Sequence, residues 1–317
     1  MHYQSLVNPL AMLNKLTRMI DSCDTIISIT SFFWRDGYAS DVILHHLEKA
    51  VKRGVRIDVV LDSVVYLTAN SKQLANFAST YKDKVKVYLY MGQGFLHSKL
   101  WIFDSNALCV SSCNISDSYY TLLRGKKPMS NHEVYIENAS PMLLAEAHCI
   151  VMDYIRCSRL LKLNDKVFID NANELFMEQV ADYELPDGIV HIDESCVKLI
   201  TSNKIQYNTL KSLFDTGNKI HLEAGYINYH IVNKLSSDKN EITIVTSDKR
   251  GLSTIDWLYE TFNRLIPLRN CYHYYNSIHK VHSKVYHNEK MIIYGSYNID
   301  YLSKINREVM LVIYRNK

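Results

Sequence analysis

The chain has 317 residues, enough for one large domain or for two fused units of about 150 residues each. Hydrophobic residues make up 47% and charged residues 22%, an ordinary globular balance with ample apolar material for a core. A net charge of +3 lacks the basic excess of a dedicated nucleic-acid binder, yet it suits an anionic substrate or an anionic membrane surface. The seven cysteines form no CxxC pair, and their odd number points to free thiols in a reducing compartment rather than to a disulfide framework or a zinc site. No apolar run approaches the roughly 18 residues of a membrane-spanning helix, and no secretory signal is visible. The first 22 residues carry only Lys15 and Arg18 as bases, so a mitochondrial presequence is not evident. The expectation is peripheral membrane association, cytoplasmic or mitochondrial.

Leu10, Leu13, Leu16 and Ile20 recur at helical spacing and open the chain with an amphipathic helix. Thr25 to Phe33, rich in β-branched and aromatic residues, reads as a strand. Ser40 is a candidate N-cap for a helix with Ile43, Leu44, Leu47, Ala50 and Val51 on one face, and Gly54 suits its C-terminal cap. Val55 to Leu61 and Val85 to Tyr90 read as strands flanking a helix around Ser71 to Thr80. The second half repeats this order. Strands at Lys219 to Ile227 and Glu241 to Val245 flank a short helix with Ile231, Val232 and Leu235. A helix with Trp257, Leu258, Phe262 and Leu265 then leads to an aromatic strand, Tyr272 to Tyr275. Strands alternating with helices indicate α/β units with largely parallel pairing. The register is also kept: Asp62 precedes His97 by 35 residues, and Asp248 precedes His282 by 34. The fold class expected is therefore α/β, as two tandem repeats of mixed sheet flanked by helices, with one active site where they meet. Residues 1–160 form the first repeat and 196–317 the second. Residues 161–195 form a linker, in which Asp165 to Glu194 holds nine acidic residues and one base, Lys166.

The chemistry lies in two matching strings. HSKLWIFDSNALCVSSCNIS begins at His97 and HSKVYHNEKMIIYGSYNID at His282. Each opens on His-x-Lys and reaches a small-residue turn and an Asn, 17 residues on in the first copy and 16 in the second. Residues two apart on a strand share a face, so His97 and Lys99 point the same way, and a returning antiparallel strand brings Asn114 back beside them. Histidine offers a nucleophile or a general acid–base group near neutral pH, lysine a fixed charge for phosphate oxygens, and asparagine amide hydrogens. One copy supplies half a phosphate site. Two facing copies supply a whole one, with a histidine on each side of phosphorus.

These strings resemble the HxK(x)4D…(G/S)S-x-N motifs of the phospholipase D superfamily. The first copy matches at His97, Lys99, Asp104, Ser112 and Asn114, and the second at His282, Lys284, Gly295, Ser296 and Asn298. Glu289 stands where the superfamily usually has Asp. Glu308 fits the acidic residue often placed on the following strand, with Glu133 as its first-half counterpart. The resemblance covers nearly the whole chain. It implies that one histidine, His97 by analogy, attacks phosphorus to form a phosphohistidine, while the other protonates the leaving group and then deprotonates the incoming hydroxyl. It implies further that Lys99, Lys284, Asn114 and Asn298 stabilise the pentacoordinate oxygens, with no metal or other cofactor. Asp104 and Glu289 either orient a histidine or lysine from behind or are turn residues.

Substrate clues follow Asn114. Asn114 to Glu133 takes nineteen residues where Asn298 to Glu308 takes ten, so the first copy carries an insertion of nine beside the reaction centre. Its Asn-x-Ser-Asp-x-Tyr resembles the N-L-S-x-x-Y-F-T-N-R string of the phospholipase D-type phosphatidylglycerophosphate synthases, and Glu223-Ala-Gly-Tyr-Ile-Asn228 resembles their S-G-Y-F-N segment. The string departs at Thr121-Leu122-Leu123-Arg124. Phosphatidylserine synthases have a related N-x-N-D-x-Y. What the resemblance implies is a transferase that moves a phosphatidyl group from CDP-diacylglycerol to a polar alcohol, glycerol 3-phosphate first. Asp117, Tyr119, Arg124 and Lys126 join Ser112, Ser296, Glu133 and Glu308 as substrate-binding candidates. Arg124, Lys126 and Lys127 either hold a phosphate or form a solvated basic loop. The alternatives are a phosphatidylserine or cardiolipin synthase, or a nuclease of the same superfamily. The near-neutral charge makes nucleic acid the less favoured partner.

Overall fold

A computed structural model describes residues 1–67, 69–120, 129–161, 190–247, 263, 266–268, 271–276 and 280–315. The first half runs β1 (His2–Leu6), α1 (Pro9–Asp21), β2 (Ile26–Ser31), α2 (Tyr38–Arg53), β3 (Arg56–Asp62), α3 (Ser63–Tyr66), α4 (Lys72–Thr80), β4 (Val85–Tyr90), β5 (Leu100–Phe103), β6 (Ala107–Ser111), α5 (Asp117–Tyr120), β7 (Met129–Ser130), β8 (Glu133–Glu137), α6 (Pro141–Arg156) and β9 (Ser158–Leu160). The second runs β10 (Val190–His191), β11 (Val197–Ile200), α7 (Asn203–Thr216), β12 (Lys219–Ala224), α8 (Tyr229–Leu235), β13 (Glu241–Ser247), β14 (Cys271–Asn276), β15 (Lys280–Val281), β16 (Lys284–His287), β17 (Met291–Gly295) and β18 (Met310–Tyr314).

Local chemistry sets the element ends. Asn8 accepts the N–H groups of Leu10 and Ala11, and Pro9 begins α1 where no donor is needed. Gly54 closes α2 in the left-handed region, at φ 111°. Ser40 is not the N-cap of α2. Gly37 holds that position, and the buried Ser40 hydroxyl accepts from the Trp34 indole at 2.7 Å. Phe32 and Phe33 leave the sheet past Ser31, so the strand read as Thr25 to Phe33 is shorter.

The first sheet has the order β10-β1-β8-β6-β5-β2-β3-β4-β9 and the second β11-β18-β17-β16-β12-β13-β14. The second order repeats the seven strands from β1 to β4 one for one. Directions repeat too: β2-β3-β4 and β12-β13-β14 are parallel, and the other neighbours in both sets are antiparallel. Within the segment read as a linker, β10 pairs with β1 and extends the first sheet. The acidic stretch over 162–189, Asp248, and the helix expected at Trp257, Leu258, Phe262 and Leu265 lie outside the described residues.

Strand alternation splits the core into layers. In β5, Trp101 and Phe103 turn to α1, α2 and α4, while Leu100 and Ile102 turn to the second sheet. There they join Val110 and Val134 from the first half and Val285, Tyr294, Leu311 and Ile313 from the second in one shared core, which also takes in α6. The outer face of the second sheet is covered by α7 and α8, through Leu210, Leu213, Phe214, Ile231 and Val232. Burial of the shared core fixes the two sheets against each other. It thereby fixes the distance between the two His-x-Lys strings.

Candidate active site

Each His-x-Lys string sits where a chain segment enters the central strand of its sheet, before β5 and before β16. Two-residue spacing does what alternation requires. The Lys99 ammonium donates to the carbonyl of His97 at 2.7 Å, and the Lys284 ammonium donates to that of His282 at 2.6 Å while standing 3.3 Å from the imidazole nitrogens. Both lysines are buried. Desolvation pushes Lys99 well below its ordinary range; Glu308 opposes that push and the charge of Lys284 adds to it. Desolvation takes Lys284 down to about 8, again with Glu308 opposing. Lysines that sense the same carboxylate occupy one cluster, so the fold brings the two strings together.

The halves are joined by crossed segments. Leu96 bridges Arg307 in parallel, with His97 N–H donating to the Arg307 carbonyl at 2.9 Å and Arg307 N–H to that of Phe95 at 2.7 Å. In the mirrored place, β15 pairs in parallel with β7, setting Val281 against Ser130. The residue after each crossing meets the facing histidine. Glu308 accepts from His97 Nδ1 at 2.9 and 3.0 Å, and Asn131 Oδ1 lies 3.2 Å from His282 Nδ1. Burial works against a charged Glu308, but His97, Lys99 and the Ser296 hydroxyl outweigh it and hold the carboxyl below its ordinary value. Burial also holds His97 below its ordinary value, against the pull of Glu308.

This register corrects the counterpart of Glu308. Val110 pairs with Val134 as Tyr294 pairs with Leu311, and Ser112 N–H donates to the His132 carbonyl as Ser296 N–H donates to that of Val309. Position 131 therefore corresponds to 308, and Glu133 corresponds to Met310. Asn131 follows Asn114 by 17 residues where Glu308 follows Asn298 by 10, so the insertion is seven residues rather than nine. Spacing misled because Asn131-His-Glu133 and Asn306-Arg-Glu308 look alike in sequence. Glu133 is instead enclosed by the hydroxyls of Tyr135, Tyr120 and Ser111, at 2.5, 2.7 and 3.3 Å. Burial raises its carboxyl to about 7 despite those bonds.

Of the other expected residues, Asn114 and Asn298 are buried at equivalent strand ends. Asn114 donates to the Tyr119 hydroxyl at 3.1 Å, and in both asparagines the side-chain oxygen makes no hydrogen bond among the described residues. Tyr119 stands edge-on to the His282 ring at 5.0 Å. Ser112 and Ser296 accept the N–H groups of His132 and Val309, which ties each turn to the next strand. Three residues are not brought into the cluster. Asp104 sits at the far end of β5 and accepts the N–H groups of Asp24, Thr25 and Ile26, which keep it charged against the cost of burial. Glu289, in the β16–β17 turn, accepts the N–H of Lys219 at 2.9 Å. Asp117 accepts the N–H of Ala39 at 2.8 Å and anchors the start of α2. Arg124, Lys126 and Lys127 lie outside the described residues. Phe32, whose ring is 5.1 Å from that of His97 and 5.8 Å from the Lys99 ammonium, forms an apolar wall on the first histidine's side.

A half-buried pair of imidazoles with two buried ammoniums and two buried amides can hold a tetrahedral anion and act on both sides of it. A family model described as "Cardiolipin synthase, PLD-like domain" matches residues 16–150. The phosphatidylserine synthase of Haemophilus influenzae Rd KW20 superposes with a TM-score of 0.72 at 14% identity, over 98% of this chain and 82% of that one. The polyphosphate kinase of Porphyromonas gingivalis superposes at 0.57 and 10% identity, over 99% of this chain and 48% of that one. Nuc of Salmonella typhimurium, a phospholipase D family member, gives 0.43 at 20% identity, over 50% of this chain and 99% of that one. No curated protein sequence matches. The fold is thus phospholipase D-like across both repeats. The domain model matched within the first half is the cardiolipin synthase, PLD-like one.

Proposed function

We propose that this chain is a phosphatidyltransferase that moves a phosphatidyl group from CDP-diacylglycerol to a polar alcohol through a phosphohistidine. The carrying observation is the assembly of both His-x-Lys pairs in one buried cluster, with Glu308 of the second repeat on His97 of the first. In this reading residues 1–160 and 196–317 each contribute half of the site. One histidine displaces the nucleotide from phosphorus, and the other protonates the departing oxygen and then takes the acceptor's proton. Lys99, Lys284 and the Asn114 and Asn298 amides offset the charge that develops on the equatorial oxygens. Asn114, Asn298 and Tyr119 line the centre; Ser112 and Ser296 shape its turns.

A lipid donor needs an apolar approach to a charged centre, and exposed apolar side chains on the crossed segments support that reading. Phe95, Leu302 and Ile305 are exposed, and Gly94 lies so close to the Ile305 carbonyl that a side chain there would collide with it. The likeness of the first half to a cardiolipin synthase, PLD-like domain favours a phospholipid substrate in the same direction. Glycerol 3-phosphate is the acceptor to which the Asn114–Arg124 stretch points by resemblance. Serine is the second reading, favoured by the fold likeness to a phosphatidylserine synthase. A headgroup screen with CDP-diacylglycerol tests both, reading CMP release and the lipid product. Phosphatidylglycerophosphate supports the first acceptor and phosphatidylserine the second. Cleavage of single-stranded DNA with no transfer to any lipid acceptor refutes lipid transfer and promotes a nuclease.

A further inference from the structure

The segment that follows the first parallel strand of each sheet is built alike in the two repeats and charged in only one. Trp34 bridges Ile115 as Ile227 bridges Ile299. The next residue donates its N–H to the same carbonyl in each repeat, Arg35 to Ile115 at 2.8 Å and Asn228 to Ile299 at 2.7 Å. Arg35 and Asn228 are thus equivalent. Asn228 is neutral, and its side chain caps α8 by accepting the N–H of Ile231 at 3.1 Å. Arg35 is exposed, and its guanidinium lies over the Phe33 ring, 5.3 Å from the centroid. We infer that Arg35, with Phe33 and Tyr119, forms a subsite for a second phosphate group, one carried by the reacting molecules but not transferred. The inference rests on the phosphatidyl-transfer reading above and adds to it a place for the phosphate of the nucleotide or of the acceptor.

Placement carries the argument. Arg35 stands at the outer end of a run of rings that leads to the histidines. Phe33 lies 6.2 Å from Tyr119, and Tyr119 lies 5.0 Å from His282 and takes the Asn114 amide. Burial pushes the Tyr119 hydroxyl up to about 12, and the charge of Arg35 is among the influences that oppose the push, so the guanidinium is felt at the inner end of the run. Its backbone is fixed on both sides. The Trp34 carbonyl accepts the Ser71 hydroxyl, and Asp36 N–H donates to the Asn70 carbonyl at 2.7 Å. The neighbouring carboxylates serve backbone donors: Asp36 accepts the N–H of Gln73 at 3.1 Å, and Asp117, packed at Gly37, accepts that of Ala39 at 2.8 Å. A guanidinium resting on a ring keeps its in-plane fork of N–H groups for the paired oxygens of a phosphate. Lys99 and Lys284 are buried at the inner end, beside the reaction centre, so the anion held by Arg35 is a different one. Two reactants of the proposed transfer carry such a group, the nucleotide half of the donor and glycerol 3-phosphate.

The test uses the full chain with Arg35→Met, which keeps a side chain on Phe33, and Arg35→Lys, which keeps the charge. Calorimetry with cytidine 5′-monophosphate and with glycerol 3-phosphate reads binding without turnover. Arg35→Met should weaken at least one of them by about 10- to 100-fold, the range for one hydrogen-bonded charged contact. Arg35→Lys should fall between Met and the parent, and the midpoint of thermal unfolding should stay in place in both variants. In turnover, KM for the affected reactant should rise by the same factor with kcat little changed. A loss seen with CDP-diacylglycerol but not with dioctanoyl phosphatidyl p-nitrophenol, which has no second phosphate, assigns the subsite to the nucleotide. A loss seen with glycerol 3-phosphate but not with glycerol assigns it to the acceptor. Affinities for both phosphates that are the same in Arg35→Met and the parent overturn the subsite. A parent chain that transfers no phosphatidyl group, yet binds one of these phosphates through Arg35, overturns the transfer reading and upholds the subsite.

Discussion

Replacing Glu133 by Gln separates the two buried carboxylates that the sequence presents as equivalent. Glu133 sits among three hydroxyls and carries a carboxyl raised by burial to about 7 from an ordinary 4.5. Between those values the folded protein keeps a proton that the unfolded chain has released. Stability therefore falls as pH rises through that window and stays lower above it. At about 1.4 kcal/mol per unit the loss is about 3 kcal/mol. Gln resembles the neutral acid and cannot ionise. Glu133→Gln should therefore match the parent near pH 4.5 and exceed it by up to about 3 kcal/mol at pH 8, in urea unfolding read at both pH values. Turnover should be nearly unchanged. Glu308→Gln should instead lower kcat by about 10- to 100-fold, the value of one hydrogen bond to a charged group, about 1.5–3 kcal/mol. Equal loss of turnover in the two variants, or a Glu133→Gln chain destabilised at pH 8, would refute the register that sets Asn131, and not Glu133, opposite Glu308.

Lys284 is pushed down to about 8 by burial, so binding a phosphate above that pH must draw a proton back onto it. Calorimetry with inorganic phosphate should show proton uptake and an affinity falling by up to about tenfold per pH unit above 8; an affinity flat from pH 7 to 10 would contradict this. Glu289→Ala should leave turnover within about twofold, because its carboxylate serves the backbone of Lys219. Asp104→Ala should cost about 1 kcal/mol or more in thermal unfolding, since three backbone donors lose their acceptor, with kcat retained in the folded protein.

Much of the fold was legible because it is written twice. The β-branched runs, their helical partners and the duplicated His-x-Lys strings kept common spacing, and seven strands of each sheet follow the same order. The histidines, lysines and asparagines were readable as one set because two-residue alternation and a returning strand depend only on local geometry. What failed were pairings that only tertiary register decides. Asp104 and Asp117 looked chemical and turn out to satisfy backbone donors at distant points, the N–H groups of residues 24–26 and of Ala39. Asn131 was hidden because a Glu two residues later imitates the Glu308 pattern, and nothing in a linear reading says which residue follows the crossing.

The crossing also explains why one chain carries both repeats. His97 takes its partner from the second repeat and His282 from the first, so neither repeat contains a complete histidine–partner pair. A single repeat could complete such a site only by pairing with a second copy about a two-fold axis. Symmetry would then force the same residue opposite both histidines. Two carboxylates, or two amides, would follow together, and the histidines would differ only when substrate broke the symmetry. Joining the repeats in one chain lifts that constraint. Position 131 can keep an amide while position 308 keeps a carboxylate, and the seven-residue insertion can enter beside one motif alone. The shared core between the sheets, with Val110 and Val134 against Tyr294 and Leu311, holds the now unequal halves in the geometry that a symmetric pair would have had. Fusion thus keeps the two histidines facing one cluster and frees each side to carry its own partner.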